Sequence, residues 1–493
     1  MNIQLESVKN RKLKGGNYPF MKVMLIVPPW TILDIRAHDT QGIAGMWPPI
    51  GTLYIASVLR ENGHDVVFRE GGFYSQEEMV EIIVREEPDM LGAFVIAMFW
   101  ERTKSLYREV KKRLPNIFLF AGGHGPSAFP EQCLKELSEM NAAIMSEAEM
   151  TVLELANRLD GNESLRGLKG SVVREDGEII RNPDRPFIKN LDSLPIPAMD
   201  LAELDKYRPS YGQVRRLPSF QVISSRGCMN DCLYCYRLMG RRVLRFRSSV
   251  NVVDEIEYYV KKYGARDIKF WDESWTYSKE RAMGICEELI RRNIKVSFWI
   301  SARADTVDAE LLAMMKRAGC WCINFGVESG VQKNLDTLRK NLTIEQIRTA
   351  VNLTHKAGIK TFTTYIFGIP GETFEEGLKT IELAKELNSW ITEFFPISPF
   401  PGTDLWQLAC ANAGFSRNIN NIGLLKDSIE YAPETMSHSD VAELRRRAFR
   451  EYYVRPKFVW TYIKGIRTWF DIQGMFSGAL ALMKMKAKKN QEC

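Results

Sequence analysis

The sequence predicts an α/β protein in which a doubly wound parallel sheet precedes an incomplete parallel barrel and a small helical C-terminal region. Apolar runs alternate with amphipathic helical segments twice, over residues 21–160 and again over residues 214–400. The stretch between them is rich in Pro, Asp and Arg and shows no long periodic run. We therefore expect an N-terminal extension (1–20), a first α/β domain (21–160), a linker (161–213), a barrel (214–400) and a C-terminal region (401–493).

Short apolar runs predict the parallel strands of the first domain, at residues 22–27, 64–68, 90–97, 117–123 and 142–145. Helical patterns separate them, for example from Pro49 to Asn62 and from Ser75 to Glu86. This order is that of a Rossmann-like sheet, which binds its ligands beyond the carboxyl ends of the strands. In the linker, SVVRE and EIIRN flank Asp176-Gly177, which predicts a β-hairpin.

A second set of strands is predicted for the barrel, at residues 219–225, 267–271, 295–300, 321–326, 360–368 and 390–397. The helices between them are expected to begin near residues 251, 279, 308, 343 and 373. Six β/α repeats fall short of the eight that close a TIM barrel, so we predict a partial (β/α)6 barrel. In the C-terminal region one helix is expected from Ser439 to Tyr453, with Ser437 or Ser439 as its cap.

The composition is that of a water-soluble globular protein, with 45% hydrophobic and 26% charged residues among 493 and a net charge of +6. No run reaches the roughly 18 apolar residues of a membrane-spanning helix. The first residues also lack the apolar centre of a signal peptide. We therefore expect a cytoplasmic protein.

The C-terminal tail is strongly basic, since residues 441–493 contain 12 Lys and Arg against 4 Asp and Glu. Its last part, MFSGALALMKMKAKKN, is apolar and then basic. Such a segment suits a peripheral contact with a membrane or an acidic partner; a core-packing helix with a solvated basic end is the alternative. We expect no nucleic-acid binding, because no groove-reading fold or interleaved aromatic residues accompany the charge.

The segment SSRGCMNDCLYCY carries the strongest chemical signal. It places Cys228, Cys232 and Cys235 at the spacing C-x3-C-x2-C, on the loop that leaves the first barrel strand. Three thiolates can hold three irons of a [4Fe–4S] cluster and leave the fourth iron open to a cofactor or substrate. A structural zinc site needs four ligands, and no fourth Cys or His lies near this loop in the sequence.

This motif, the aromatic Tyr234 before its last cysteine and its place after the first barrel strand resemble the radical SAM superfamily. The resemblance implies that the open iron binds S-adenosylmethionine (SAM), that the cluster donates an electron to it, and that a 5′-deoxyadenosyl radical forms. Tyr234 would pack beside the adenine. An external electron donor such as ferredoxin or flavodoxin is implied as well.

Two later strand ends fit the same resemblance. The segment WDES at residues 271–274 stands where the family usually has Gly-Gly-Glu, so Asp272 or Glu273 would accept a hydrogen bond from the methionine ammonium group. A solvated loop acid is the alternative. Arg303, in SFWISARAD, would meet the methionine carboxylate, or else form a surface salt bridge.

Two more motifs follow in the order that the family shows. Glu328, in GVESG, would contact the ribose or the methionine moiety. Gly368 and Gly371, in GIPGET, would let the backbone approach the adenine closely. Cys320 and Cys322 alternate on a strand, and we interpret them as buried small hydrophobic residues rather than as ligands.

A doubly wound domain ahead of such a barrel resembles the cobalamin-binding subfamily of these enzymes. The similar segments are WPPIGTLYIASVLRENGHDV, GGHGPSAFP, SEAE, where the family more often has Gly-Glu-Gly-Glu, and NLDSLPIPAMDL. The resemblance implies that cobalamin is contacted by Pro49, Gly122, Gly123, His124 and Glu147.

The Asp-x-His-x-x-Gly motif, whose histidine ligates cobalt in many B12 enzymes, is absent from the sequence. His38 lacks an Asp at the required spacing, and His64 ends a turn and is expected to be structural. We therefore expect a cobalt without a histidine ligand on its lower face. By family resemblance this suits methyl transfer to a carbon radical.

The resemblance thus predicts a class B radical SAM C-methyltransferase, in which the 5′-deoxyadenosyl radical activates an unreactive carbon and methylcobalamin supplies the methyl group. The substrate would be a peptide, a natural product, a lipid or a tetrapyrrole, and Tyr277 and Tyr365 are candidates to line its cavity. The layout is also similar to the anaerobic magnesium-protoporphyrin IX monomethyl ester cyclase, an oxidoreductase. A non-catalytic sensor of cobalamin or of the cluster is the third alternative.

Overall fold

The computed structural model describes residues 20–31, 46–210, 212–236, 242–411, 415, 429–466, 469 and 471–476. These residues form two compact units. The first contains residues 20–31 and 47–207, and the second contains most of residues 208–476. His38 and residues 477–493 of the basic tail lie outside the described residues. Both units combine helices with largely parallel sheets, which confirms the predicted α/β class.

The first unit is built on a seven-stranded sheet with the order β2-β1-β3-β4-β5-β6-β7. Its strands are β1 (Lys22–Val27), β2 (Asp65–Glu70), β3 (Met90–Phe94), β4 (Phe118–Gly122), β5 (Ala142–Ile144), β6 (Ser171–Glu175) and β7 (Glu178–Arg181). Its helices are α1 (Ile50–Glu61), α2 (Gln76–Glu86), α3 (Trp100–Arg113), α4 (His124–Ala128), α5 (Pro130–Glu136) and α6 (Glu149–Gly161). Strands β1 to β5 are parallel, as a Rossmann-like sheet requires.

Local sequence signals explain several of these boundaries. Ser75 accepts a hydrogen bond from the backbone N–H of Glu78, whose side chain accepts one from Ser75 in return. This capping box begins α2 one residue after the predicted start. Strand β1 is almost wholly buried, which is why its sequence is a continuous apolar run rather than an alternating one.

The hairpin predicted within the linker belongs to the first sheet. Strands β6 and β7 pair antiparallel, and β6 also pairs antiparallel with β5. The turn between them uses positive φ at Asp176 (52°) and Gly177 (84°), the conformation of a tight two-residue hairpin. By adding to β5 the hairpin satisfies an edge that would otherwise be unpaired. The hairpin is therefore part of the first unit, not of a connection between units.

The second unit contains a six-stranded parallel sheet with the order β15-β14-β13-β12-β11-β8. Its strands are β8 (Ser219–Val222), β11 (Asp267–Phe270), β12 (Ser297–Ala302), β13 (Cys320–Glu328), β14 (Lys360–Phe367) and β15 (Ile391–Pro396). The helices among them are α7 (Ser249–Tyr263), α8 (Lys279–Arg291), α9 (Ala309–Ala318), α10 (Gln332–Thr337), α11 (Ile344–Lys356) and α12 (Phe374–Leu387). Neighbouring strands follow chain order throughout, which confirms the (β/α)6 prediction.

A short hairpin after β8 was not predicted. Strands β9 (Ser225–Cys228) and β10 (Val243–Phe246) pair antiparallel and enclose the cysteine loop between them. Gly227 has φ +94° and lies so close to the backbone of Val243 that an added Cβ would be 2.0 Å from its carbonyl oxygen. A glycine is therefore required where the loop begins.

The C-terminal region consists of α13 (Asp404–Ala411), α14 (His438–Tyr453) and α15 (Pro456–Gly465). Ser437 caps α14 in a capping box with Asp440. The Tyr452 hydroxyl donates to the Ser389 carbonyl oxygen at 2.5 Å, which fastens α14 to the barrel. None of the described helices is both long and apolar enough to cross a lipid bilayer.

We predict that Gly123→Ala lowers the free energy of unfolding of the first unit by about 1–3 kcal/mol. Gly123 has φ +102°, and an added Cβ would lie 2.7 Å from the Val95 carbonyl oxygen, so the variant suffers both backbone strain and a clash. Gly167→Ala is the matched control, because Gly167 has φ +81° but nothing within 4 Å of the added Cβ. Urea unfolding measures both variants, and equal losses would contradict the clash.

Candidate active site

The three cysteines predicted to bind a cluster lie on one short loop. It leaves β9 at Cys228, which is half-buried, and continues to a buried Cys232 and an exposed Cys235. The Cys235 backbone N–H donates to the Cys232 carbonyl oxygen at 3.3 Å, so a tight turn brings the last two cysteines together. The sequence spacing thus places three thiols along one short loop.

Hydrogen-bond donors surround the first of these sulfur atoms. The backbone N–H and the side-chain amide of Asn230 each lie 3.5 Å from Cys228 Sγ. The Asn230 amide also contacts the Tyr277 hydroxyl, and burial raises the pKa of Tyr277 to about 12. Donors of this kind stabilise thiolates and tune clusters bound to them.

The donor set fits an iron–sulfur cubane. Among the described residues, no group of three or more His, Cys, Asp and Glu is gathered as a single metal ion requires. A cubane is larger than an ion, so three thiolates that hold it need not converge on one point. Three thiols on one loop, with N–H donors at a sulfur, are the ligands such a cluster takes.

The middle of the cysteine loop is clamped by Leu233. Its backbone N–H donates to the Leu338 carbonyl oxygen, and its carbonyl oxygen accepts from the Leu405 N–H, both at 3.0 Å. Its side chain packs in a buried apolar cluster with Leu338, Ile366, Ile369, Ile397 and Leu405. The loop is therefore held from both sides by α10 and α13.

Glu328 stands at the end of β13 in an unusual backbone conformation. Its φ is +66°, and the register with β14 shifts between Gly326 and Glu328, as in a β-bulge. Its carboxylate accepts hydrogen bonds from the Tyr234 hydroxyl at 2.9 Å and from Lys340 Nζ at 2.7 Å. Bulges and positive φ re-aim side chains at functional sites, and here they turn a carboxylate toward the cysteine loop.

Lys340 was not singled out by the sequence, because no motif marks the loop between α10 and α11. It is buried, and burial alone would lower its pKa, but the Glu328 carboxylate and the Cys232 thiolate together outweigh this and raise the pKa of Lys340. An added Cβ on Gly326 would come within 2.3 Å of Glu328 Oε1 and 2.8 Å of Lys340 Nζ. The glycine of GVESG therefore makes room for the ion pair.

The two acidic residues of WDES have different surroundings. Asp272 is buried and accepts from the Ser224 N–H at 3.2 Å, the Ser224 hydroxyl at 2.8 Å and the Ser225 hydroxyl. Glu273 is exposed to solvent on one side, while the protein atoms on its other side desolvate the carboxyl group and raise its pKa. It lies by the backbone N–H of Gly227, the residue before the first cysteine. The hydrogen bonds of Asp272 thus hold the residues that precede the cysteine loop. Glu273 is the carboxylate with access to a ligand.

Arg303 holds neighbouring parts of the protein. Its guanidinium donates to both carboxylate oxygens of Asp305 at 3.0 Å and to the carbonyl oxygens of Lys340 and Asn341. It therefore fixes the loop that carries Lys340. The predicted contact of Arg303 with the methionine carboxylate would compete with these bonds.

The GIPGET segment is organised by its own glutamate. Glu372 accepts from the N–H groups of Gly368 and Ile369 at 2.7 and 3.1 Å, and burial raises its pKa to about 7. Gly368 (φ +84°) faces Val441, whereas nothing lies within 4 Å of an added Cβ on Gly371 (φ +75°). Of the two glycines predicted to face adenine, Gly371 is therefore the one with open space beside it.

The residues predicted to contact cobalamin flank the carboxyl ends of strands in the first unit. Gly122 ends β4, Gly123 and an exposed His124 begin the turn into α4, and Pro49 precedes α1. Glu147 follows β5, is buried, and accepts from the Ile188 N–H at 2.8 Å. Ligands of doubly wound sheets bind at this edge.

The same edge holds a buried carboxyl group that the sequence did not reveal. Glu70 ends β2 and accepts from Trp30 Nε1 at 2.9 Å, from the Gly72 N–H at 3.2 Å and from the Tyr207 hydroxyl at 3.4 Å. Burial raises its pKa to about 7. His64 is buried against Asn157 at 3.1 Å, as expected of a structural histidine.

Comparison with known proteins agrees with this arrangement. The Radical SAM superfamily matches residues 222–384, and the B12 binding domain matches residues 40–156. An uncharacterized methyltransferase of Pyrococcus horikoshii is 30% identical over 448 residues, which cover 89% of this chain and 93% of that protein. The chain is a member of the cobalamin-dependent radical SAM methyltransferase family.

The chain is also similar to an enzyme with a different reaction and to two solved structures. The anaerobic magnesium-protoporphyrin IX monomethyl ester cyclase of Rubrivivax gelatinosus is 32% identical, with 74% of this chain and 67% of that protein covered. The cobalamin-dependent SAM radical enzyme OxsB shares the fold with a TM-score of 0.73 at 17% identity, covering 93% of this chain and 72% of that one. The methyltransferase TsrM from Kitasatospora setae, with cobalamin and a [4Fe–4S] cluster bound, has a TM-score of 0.65 at 19% identity, with coverages of 87% and 81%.

The predicted cofactors of this radical SAM enzyme, a [4Fe–4S] cluster, SAM and cobalamin, are confirmed by its family. The strand registers place Lys269, Trp299, Ser301 and Asn324 on one side of the sheet. Cys322 and Phe362 share that side and pack with Trp299, so it combines polar groups with an apolar cluster. Tyr365 lies on the other side, stacked on Phe394 beneath α14, so its predicted place in a cavity is wrong.

Cys320 and Cys322 are buried in β13, which confirms that they behave as small hydrophobic residues. Tyr277 is half-buried and its hydroxyl lies at Asn230, beside the cysteine loop. Of the two tyrosines considered for the cavity, only Tyr277 thus adjoins the candidate active site.

We predict that Glu372 makes the second unit less stable as pH rises. Its pKa is about 7 in the fold against an ordinary 4.5, so the unfolded chain loses this proton first. The unfolding free energy therefore falls from about pH 4.5 to about pH 7, and Glu372→Gln should flatten that slope in urea titrations. Glu376→Gln is the control. The pKa of Glu376 is lowered in the fold, so this group makes the protein more stable as pH rises, and its removal should not flatten the slope. An unchanged slope in Glu372→Gln would contradict the prediction.

Proposed function

We propose that this enzyme transfers a methyl group to an unactivated carbon of a small-molecule or peptide substrate. The observation that supports it is the gathering of charged and thiol side chains at one end of the barrel, where β11 and β13 end and the hairpin of β9 and β10 follows β8. There the cysteine loop meets Glu273, Glu328 and Lys340. In parallel barrels the carboxyl ends of the strands carry the active site.

The bound cofactors supply the one-electron chemistry and the methyl group. Cys228, Cys232 and Cys235 would hold the cluster, and Asn230 would stabilise the Cys228 thiolate. Glu273 would accept from the ammonium group of SAM, because Asp272 is occupied by two serines. Two cations lie by this site, Arg303 bonded to Asp305 and Lys340 paired with Glu328, and the SAM carboxylate would take one of them as its partner.

We further propose that Pro49, Gly122, Gly123, His124 and Glu147 form the edge against which cobalamin binds. All of them lie within the matched B12 binding domain. Gly123 holds the turn into α4 closely against the end of β3, where an added Cβ would lie 2.7 Å from the Val95 carbonyl oxygen. Glu147 would act by fixing the segment at Ile188.

The electron would come from an external donor such as ferredoxin or flavodoxin. We place the reaction in the cytoplasm, because a reducing compartment keeps cysteine thiols available for cluster assembly. The polar side chains of Ser301 and Asn324, which share one side of the barrel sheet, support a substrate with hydrogen-bonding groups. Asn324 contributes there, since its side-chain oxygen is buried without a partner among the described residues.

A second candidate function is oxidative ring formation, which the 32% identity to a magnesium-protoporphyrin ester cyclase favours. The two reactions share their cofactors and differ in product. Methyl transfer carries the label of methyl-labelled SAM into the product. Cyclisation forms 5′-deoxyadenosine and leaves the product unlabelled.

We predict that Cys228→Ser abolishes cluster assembly and with it reductive cleavage of SAM. Serine lacks the thiolate that iron requires. Iron and sulfide content and the visible absorption of anaerobically reconstituted protein provide the measurement. Cys410→Ser is the matched control, because Cys410 is also half-buried and lies on α13, outside the loop that carries the three cysteines. A normal cluster in Cys228→Ser would contradict the site.

We also predict that Glu273→Gln raises the KM for SAM roughly 10-fold to 100-fold, the worth of a hydrogen bond to a charged group. Iron content should remain normal, since Gln can still accept a hydrogen bond from the Gly227 N–H beside the first cysteine. Asp272→Asn serves as the contrast: it should lower the thermal stability and the iron content, because it loosens Ser224 and Ser225. If Glu273→Gln binds SAM normally, the carboxylate has another role.

A further inference from the structure

Helix α15 packs one of its faces on the barrel. Phe458 is buried against Tyr453, and the ring of Tyr462 stacks on Trp390 with centroids 4.2 Å apart. Gly465 lies so close to Trp390 that an added Cβ would be 2.2 Å from the indole. These contacts account for the inward face of the helix.

The outward face of α15 is apolar as well. Val459, Trp460 and Ile463 are 45%, 60% and 49% exposed, and one helical turn brings Ile463 beside the other two. Beyond the helix, Trp469 and Phe476 are also largely exposed. A helix that is apolar on both faces is normally covered on both, and a contiguous exposed apolar patch marks an interaction surface.

Basic residues border this patch. Lys457 and Lys464 are exposed near its two ends, and Lys464 Nζ lies 4.6 Å from the centre of the Trp460 ring. The helix sequence PKFVWTYIKG contains no acidic residue. From residue 454 to the end, eight Lys and Arg stand against two acidic residues, and one of these, Asp471, is buried. The surface is thus apolar at its centre and positive at its border.

The charge distribution selects among the partners that could cover this face. The basic end of the chain's own tail and a second copy of α15 both carry the same positive sign, so each would be repelled. Exposed indole rings with lysines beside them match the interface of a bilayer, where aromatic rings lie at the headgroups and lysines meet anionic phosphates. We propose that the outer face of α15 binds the surface of an anionic phospholipid membrane.

Vesicle sedimentation of the full-length, anaerobically purified protein tests this proposal. We expect binding to vesicles of phosphatidylglycerol and phosphatidylcholine in equal parts, weaker binding at high salt, and little binding to pure phosphatidylcholine. The double variant W460S/I463S should lose binding roughly tenfold or more, because it removes the apolar anchor. Val250→Ser, which alters a 53% exposed aliphatic residue on α7, is the matched control.

Circular dichroism and iron content show whether W460S/I463S remains folded, and only a folded variant counts. Equal binding of that variant and the unaltered protein would overturn the proposal, as would equal binding to neutral vesicles. If the unaltered protein forms a dimer without lipid and W460S/I463S is monomeric, the face binds a second copy instead, and the proposal is overturned. Loss of vesicle binding on removal of residues 477–493, with α15 intact, would assign the contact to the tail and would also overturn it.

Discussion

The position of the cysteine loop depends on one buried carboxylate. Asp272, at the end of β11, accepts hydrogen bonds from Ser224 and Ser225, the residues that join β8 to β9. Arg281 on α8 donates to the Ser224 hydroxyl at 2.7 Å and balances the buried charge. A buried charge is tolerated only with such partners. Asp272, the two serines and Arg281 therefore fix where the loop leaves the barrel. The positions of the three cysteines depend on that point.

At the end of β13, a strained backbone conformation directs the Glu328 carboxylate toward the cysteine loop. Glu328 adopts a positive φ within a bulge, a conformation that costs about 1–3 kcal/mol in a residue with a side chain. The ion pair with Lys340 and the hydrogen bond from Tyr234 offset that cost. Because Tyr234 belongs to the cysteine loop, the strained strand end and the loop hold each other in place.

Much of this could be predicted from the sequence, because the signals are local. Capping residues, apolar periodicity and the cysteine spacing each depend on residues close together in the chain. The hairpin of β9 and β10 escaped prediction because its strands are short and its pairing spans the whole cysteine loop. Lys340 escaped for a related reason: its partner Glu328 is twelve residues earlier, across a helix, and only the fold shows that the two meet.

The choice between Asp272 and Glu273 illustrates a signal that was present in the sequence and not used. Side chains alternate along extended backbone, so Lys269 of β11 and Trp271, the residue just after that strand, share one face and Asp272 points to the other. The contacts agree, since Lys269 Nζ lies 4.3 Å from the centre of the Trp271 ring. Asp272 is thereby directed toward Arg281 on α8, which is why it is structural. Side-chain alternation along this segment thus distinguishes Asp272, which is structural, from Glu273, which is open to a ligand.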